Sequence, residues 1–169
     1  LGNSYITAGF VMIDYAVTKR LRFAGGVRYE YADLFTDVDK YDSLKLAKND
    51  PRRFFSDSYP YANAGELTQT SVLPSANVIY KLKNDDDNPV NVRVNYSRTV
   101  ARPSLRELSE TQTYDFDFRA FVYGNADLKP VQVDNYDFRI ESYFKSGDNV
   151  SVSLFYKEFK NHIELEYSN

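Results

Sequence analysis

Apolar and polar residues alternate along much of this chain. From Val90 to Ser97, Val90, Val92, Val94 and Tyr96 are apolar or aromatic, while Asn91, Arg93, Asn95 and Ser97 are polar. A period of two belongs to an extended strand, because a helix would scatter these residues around its circumference. From Leu21 to Tyr31, Leu21, Phe23, Val27, Tyr29 and Tyr31 share one face, and Arg22, Arg28 and Glu30 share the other. Gly25 and Gly26 fall mid-strand, where a bulge or sharp bend is expected. The same period predicts strands from Ala76 to Leu82, Tyr136 to Phe144 and Val150 to Lys157. Tyr5 to Val17 reads as a further strand, with two fairly apolar faces.

The connections are as regular as the strands. Thr18 to Arg20, Lys83 to Pro89 and Lys145 to Asn149 are short polar turns of hairpin type. Between them lie two long connections, roughly Ala32 to Thr70 and Val100 to Pro130. Short and long alternate without exception, as do the short periplasmic turns and long outer loops of a transmembrane β-barrel. Strands of about ten residues also suit a tilted crossing of the bilayer. The fold class expected is all-β: an antiparallel up-and-down meander of about six strands, a segment of a large transmembrane β-barrel. The smallest single-chain barrels need about eight strands, and an open edge in lipid leaves N–H and C=O groups unpaired. Either the chain is part of a larger barrel, or several copies assemble.

Composition narrows the alternatives. The 169 residues carry 21 Lys and Arg, 24 Asp and Glu and one His, for a formal net charge of −3. That balance argues against a nucleic-acid partner. Cys is absent, which removes disulfide frameworks and Cys-ligated metals. Mean hydropathy is −0.53, and no run approaches the apolar length of a membrane-spanning helix. Aromatic residues nevertheless make up 16% of the chain, with 15 Tyr and 12 Phe. In a barrel wall, Tyr29, Tyr31, Tyr80, Tyr96, Tyr136, Phe144 and Tyr156 fall on the lipid-facing sets, and a ring with a polar tip suits the membrane interface. The chain starts at Leu1, with neither a charged n-region nor an apolar h-region. It therefore reads as one architectural unit over residues 1–169, a partial barrel domain with no plug domain and no signal peptide present.

Four blocks resemble a known family. They are Leu73 to Tyr80, Asn95 to Leu108 with Arg98, Arg102 and Pro103, Gly124 to Pro130 with Gly124, Asn125, Asp127 and Pro130, continuing through Asp134, Asn135, Tyr136 and Asp137, and Phe155 to Lys157 with Lys160 and Asn161. In order and spacing they resemble TonB-dependent outer-membrane receptors, over about the last hundred residues. Ala126 departs from the pattern, where the family often has Pro. The resemblance implies a barrel of about 22 strands around an N-terminal plug, in the bacterial outer membrane. Such a receptor imports a scarce nutrient such as an iron chelate, haem, cobalamin, or a glycan or peptide, and draws energy from the TonB complex. The partners implied are outer-membrane lipid, the rest of the barrel and its plug, TonB through the missing N-terminal part, and a small-molecule or oligomer cargo. No cofactor and no enzymatic activity are implied.

The residues also have readings of their own. Continuing the strand alternation, Arg98 and Arg102 fall with Val94 and Tyr96 on the outward set. That placement requires them to lie above the hydrocarbon, since Arg at mid-bilayer costs about 2–4 kcal/mol and about 0–1 at the interface. Arg98, Arg102 and Arg106 read as loop anchors or lipopolysaccharide contacts, with cargo contact as the alternative. Pro103 suits the point where strand pairing ends. Ser104 with Glu107 forms a possible capping box for a short helix. Tyr114, Asp115, Phe116, Asp117, Phe118 and Arg119 alternate aromatic and charged residues. They read either as a loop strand extending the barrel or as a cargo-facing hairpin. Arg52, Arg53, Tyr59 and Tyr61 in the first long connection line the entrance or pack on adjacent loops.

Other chemistry is weakly represented. The Asn84 to Asn88 run lacks the Gly and distal Glu of an EF-hand loop and reads as a polar turn rather than a calcium site. His162 has no companion for a zinc site or a triad. The carboxylates are dispersed, with no glycosidase pair. Two other readings compete with the transporter: a different outer-membrane barrel (adhesin, porin-like or enzymatic), and a soluble β-sheet carbohydrate-binding module. The soluble module needs a core between sheets, and Arg22, Arg28, Arg93, Arg139 and Glu141 on the alternate faces argue against one.

Overall fold

The computed structural model describes residues 2–36, 65–83, 88–109, 113–117 and 119–166. Its elements are strands β1 (Gly2–Ala16), β2 (Leu21–Thr36), β3 (Gly65–Lys83) and β4 (Val90–Ala101), a single-turn helix α1 (Leu105–Leu108), short strands β5 (Thr113–Asp115) and β6 (Ala120–Val122), and strands β7 (Val131–Tyr143) and β8 (Asn149–Lys160). Six strands form one sheet in the order β1-β2-β3-β4-β7-β8, and β5 pairs only with β6. The meander is as expected. All six long strands lie within a residue or two of the alternating runs or run past them. β3 begins at Gly65, and β2 continues to Thr36, so the first long connection is shorter at both ends than the alternation alone implies. Inside β2, Gly25 and Gly26 do not break the strand. The backbone of β1 comes so close to Gly26 at Val11 and Met12 that a Cβ there would collide with it.

Packing divides the chain into two units. The first contains Thr7–Tyr31, Thr70–Ala101 and Pro130–Asn169. Its antiparallel registers align Val78, Val94, Phe138 and Leu154 in one row, with Tyr80, Val92, Ile140 and Val152 on one side of it and Ala76, Tyr96, Tyr136 and Tyr156 on the other. The intervening positions give rows of the opposite face: Lys81, Asn91, Glu141 and Ser151; Ile79, Arg93, Arg139 and Ser153; Asn77, Asn95, Asp137 and Phe155. Strand periodicity thus sorts the residues into an apolar face and a largely polar one. Val94, Phe138, Leu154, Val152 and Tyr156 are all exposed.

The second unit contains Leu1–Ile6, Ala32–Gln69 and Arg102–Lys129. Here lies the buried apolar core of the described residues: Ala32, Leu34 and Leu108, with Leu67, Leu105 and Leu128 packed against them. Thr36 Oγ1 ties the strand ends together, accepting from the Gly65 N–H at 3.0 Å and donating to its carbonyl at 3.3 Å.

The turns are built locally. Thr18 Oγ1 accepts from the N–H groups of Arg20 (3.2 Å) and Leu21 (3.0 Å), closing the β1–β2 hairpin. Between β7 and β8, the Phe144 N–H donates to the Asp148 carbonyl at 2.9 Å, with Gly147 at φ 90°. The candidate calcium run is largely outside the described residues, since 84–87 are not among them.

Candidate functional site

The loop unit is assembled from the residues that resemble receptor blocks. β4 ends at Ala101, and Pro103, which has no N–H to offer a ladder, is fully buried just beyond it. Ser104 then caps α1 with the reciprocal pair expected of it. The Ser104 N–H donates to Glu107 Oε2 at 2.6 Å, and the Glu107 N–H donates to Ser104 Oγ at 3.3 Å. This turn carries Leu108 into the leucine core.

The second block clasps the first. The carbonyls of Arg106, Glu107 and Ser109 surround the Cα of Gly124 so closely that no Cβ fits there. The next residue, Asn125, donates its N–H to the Glu107 carbonyl at 2.6 Å. Asn125 Oδ1 accepts from the Asp127 N–H at 2.8 Å, and the Leu128 N–H reaches the Asn125 carbonyl at 3.3 Å, delivering Leu128 to the core. Pro130 is buried at the start of β7. Gly124, Asn125 and Asp127 therefore act as architecture: they hold the return of the loop against its outgoing turn. Ala126 lies between the two Asx-turn residues without disturbing these bonds.

β5 and β6 pair with each other in a two-stranded sheet, so Tyr114 and Asp115 stand in a hairpin and not in a strand of the six-stranded sheet. Tyr114 faces Phe121 across the pair. Its ring meets the edges of Phe116 at 5.0 Å and Phe121 at 5.1 Å between centroids. Tyr114, Phe116, Phe121 and Tyr123 are all exposed, Phe116 by 82%. Asp115 Oδ1 accepts from the Asp117 N–H at 2.9 Å, and Arg119 takes a left-handed φ of 51°, so these residues shape the turn. Phe121 and Tyr123 complete the aromatic surface. The alternation over residues 114–119 gave no sign of them, because Phe121 sits on the returning strand β6 and Tyr123 just past its end. Arg52, Arg53, Tyr59 and Tyr61 lie outside the described residues.

In the wall unit, Arg98 is paired. Its Nε donates to Asp134 Oδ1 at 2.7 Å and its Nη2 to Oδ2 at 3.2 Å, while the Tyr96 hydroxyl donates to Oδ1 at 2.8 Å. Lys160 Nζ stands 3.8 Å from Oδ2. Asp134 is 3% exposed, so a bidentate arginine and a phenol satisfy a carboxylate hidden from solvent. Beside this cluster the Tyr96 ring lies 5.1 Å from that of Tyr136, which lies 6.0 Å from that of Tyr156. A tyrosine row bordered by charge is the arrangement expected where hydrocarbon gives way to headgroups. Asn135 Nδ2 on the opposite face donates to the Ser97 carbonyl at 3.1 Å and to Thr99 Oγ1 at 3.3 Å. At the end of β8, Asn161 takes a φ of 56°, a conformation Asn tolerates better than most residues. Arg102 is half-buried beyond the end of β4, so the spacing of four that linked it to Arg98 does not carry it onto the wall.

No group of three or more His, Asp or Glu residues that could hold a metal occurs among the described residues. His162 Nε2 is 3.6 Å from Glu164 Oε2, and both side chains are exposed. No helix of the described residues is long and apolar enough to cross a membrane.

The family model for the β-barrel of TonB-dependent receptor-like proteins matches residues 2–169. The chain belongs to this family. No curated protein and no solved structure matches it. Membership places the chain in the bacterial outer membrane as part of a transport receptor, and it accounts for the exposed apolar face of the wall. In water such a face would seek cover, whereas in the outer membrane lipid supplies it. The polar face is then the lumen side of the TonB-dependent receptor barrel.

Proposed function

We propose that residues 1–169 form a wall segment of an active transporter that imports a scarce nutrient, driven by TonB acting through a plug in the same barrel. An iron chelate, haem, cobalamin, or a glycan or peptide is the class of cargo. The observation that carries this reading is the built loop unit. A wall that only let solutes diffuse would need no loop with its own leucine core and interlocked turns. A receptor needs such a base to present contact residues in a fixed geometry. Tyr114, Asp115, Asp117 and Arg119 on the β5–β6 hairpin are the cargo-facing residues in this reading, together with Arg52, Arg53, Tyr59 and Tyr61 of the first long connection. The test is uptake by cells carrying or lacking the gene, with iron chelates, haem, cobalamin and glycans offered side by side. The reading expects one class to be lost with the gene and lost equally when TonB is absent. Uptake of every class independent of both would refute it.

A further inference from the structure

Three arginines of the wall pair each with a separate carboxylate. Arg22 and Asp14 form a bidentate pair, with bonds of 2.8 and 2.5 Å. Arg28 Nε donates to Glu30 Oε1 at 2.6 Å, and Arg98 has Asp134. Arg93 of β4 and Arg139 of β7 instead face each other directly across the strands, a like-charge opposition that weakens a sheet unless something lies between. Glu141 lies between. It is 3% exposed, and it accepts from Arg93 Nε at 2.7 Å through Oε1, with Arg93 Nη2 at an ion-pair distance of 2.6 Å from the same oxygen and Arg139 Nε 3.3 Å from Oε2. Arg139 Nη2 adds a 3.3 Å bond to Ser151 Oγ. One carboxylate thus serves two guanidiniums whose side chains remain 40% and 49% exposed. These contacts engage Nε and Nη2 of each arginine, and among the described residues no bond to either Nη1 occurs, which leaves those donors over.

The surroundings do not cancel this charge. On the polar face of β3, β4, β7 and β8 the rows place Lys81, Arg93, Arg139 and Lys157 against Asp137 and Glu141. Asp137 is the nearest other carboxylate in sequence, and its Oδ2 is bonded by Asn95 Nδ2 at 3.3 Å. The face is therefore cationic in a chain whose net charge is −3.

We propose that Arg93, Arg139 and Ser151, held by Glu141, form an oxyanion subsite on the lumen wall that takes a carboxylate or phosphate group of a passing solute. Two guanidiniums with spare N–H donors and an adjacent hydroxyl match the acceptor geometry of such a group. This rests on the reading of the polar face as lumen and extends the proposed function by requiring an anionic group on the cargo.

Inorganic phosphate is the probe, titrated by calorimetry into the intact receptor in detergent. Arg139→Gln is the discriminating variant, because it removes the surplus charge and leaves the tight Arg93–Glu141 pair in place. Phosphate binding should weaken at least tenfold in Arg139→Gln and be unchanged in Arg22→Gln, whose partner lies elsewhere on the wall. Absence of phosphate binding in the parent, or binding equal in parent and Arg139→Gln, overturns the subsite. A cysteine at Ser153, directly opposite Arg139, separates this from a wrong assignment of faces. If Ser153→Cys reacts with a charged maleimide and phosphate still fails to bind, only the subsite is lost. If it does not react, the lumen assignment is lost as well, and the subsite with it.

Discussion

Asp134 of β7 stands directly across from Arg98 of β4 and binds it through both carboxylate oxygens, at 2.7 and 3.2 Å. The pair borders the tyrosine row of Tyr96, Tyr136 and Tyr156. It explains how an arginine on the lipid-side set of β4 is tolerated: its charge is matched by a carboxylate that has no other exposure. Arg98→Gln and Asp134→Asn should each lower the heat-unfolding midpoint of the receptor in vesicles. The double variant should fall little below the worse single, because the Asp134 change already removes the pair that the Arg98 change breaks. Additive losses in this double-mutant cycle would show the two residues act independently.

The two faces of the wall should respond oppositely to charge. Leu154 lies in the row of Val78, Val94 and Phe138, and Leu154→Arg should destabilise the folded barrel by about 2–4 kcal/mol if that row is near mid-bilayer. Ser153→Gln, one residue away on the other face, should stay within about 0.5 kcal/mol. Denaturant titration of folding into lipid vesicles measures both.

Alternation along the chain was enough to read the wall, because each strand is covered on one face by lipid and on the other by water. Its rows needed no partner to be legible. The loop unit was not legible in that way. Leu34 and Leu108 are buried together, yet they are far apart in the chain and belong to different elements, so no local period connects them. β3 starts well before Ala76 because its early part packs on that core rather than on lipid. The capping box of Ser104 and Glu107 was readable, being a local hydrogen-bonding pattern. The pairing of Arg98 with Asp134 and the sharing of Glu141 by Arg93 and Arg139 depend on register, which the spacing of single strands does not determine. Of the candidate site residues, Gly124, Asn125 and Asp127 were visible as a block, but their role as a clasp on α1 emerges only from the carbonyls that surround Gly124.

The clasp makes its own prediction. Leu108→Ala, at a fully buried position, should cost the loop unit about 2–5 kcal/mol, and Ser104→Ala about 1 kcal/mol through loss of the cap. Gly124→Ala should also loosen the unit, since its Cβ would meet the carbonyls of Arg106, Glu107 and Ser109. Faster proteolytic nicking within residues 102–129 on intact cells, with the barrel still folded on gels, is the expected result.

The hairpin separates binding from stability. Phe116 is exposed and supports no core, so Phe116→Ala should leave the unfolding midpoint unchanged while weakening cargo uptake at low cargo concentration. Equal uptake by parent and variant at every concentration would remove the hairpin from the cargo site.

The account stands on the assignment of the two faces of β8 to lipid and lumen. Single cysteines placed in turn from Val150 to Lys157 of the intact receptor, in native outer membranes, test it with a charged maleimide too polar to enter hydrocarbon. The account predicts labelling with a period of two: reaction at Ser151, Ser153, Phe155 and Lys157, and protection at Val150, Val152, Leu154 and Tyr156. Uniform labelling along the strand, or the opposite phase, would contradict it.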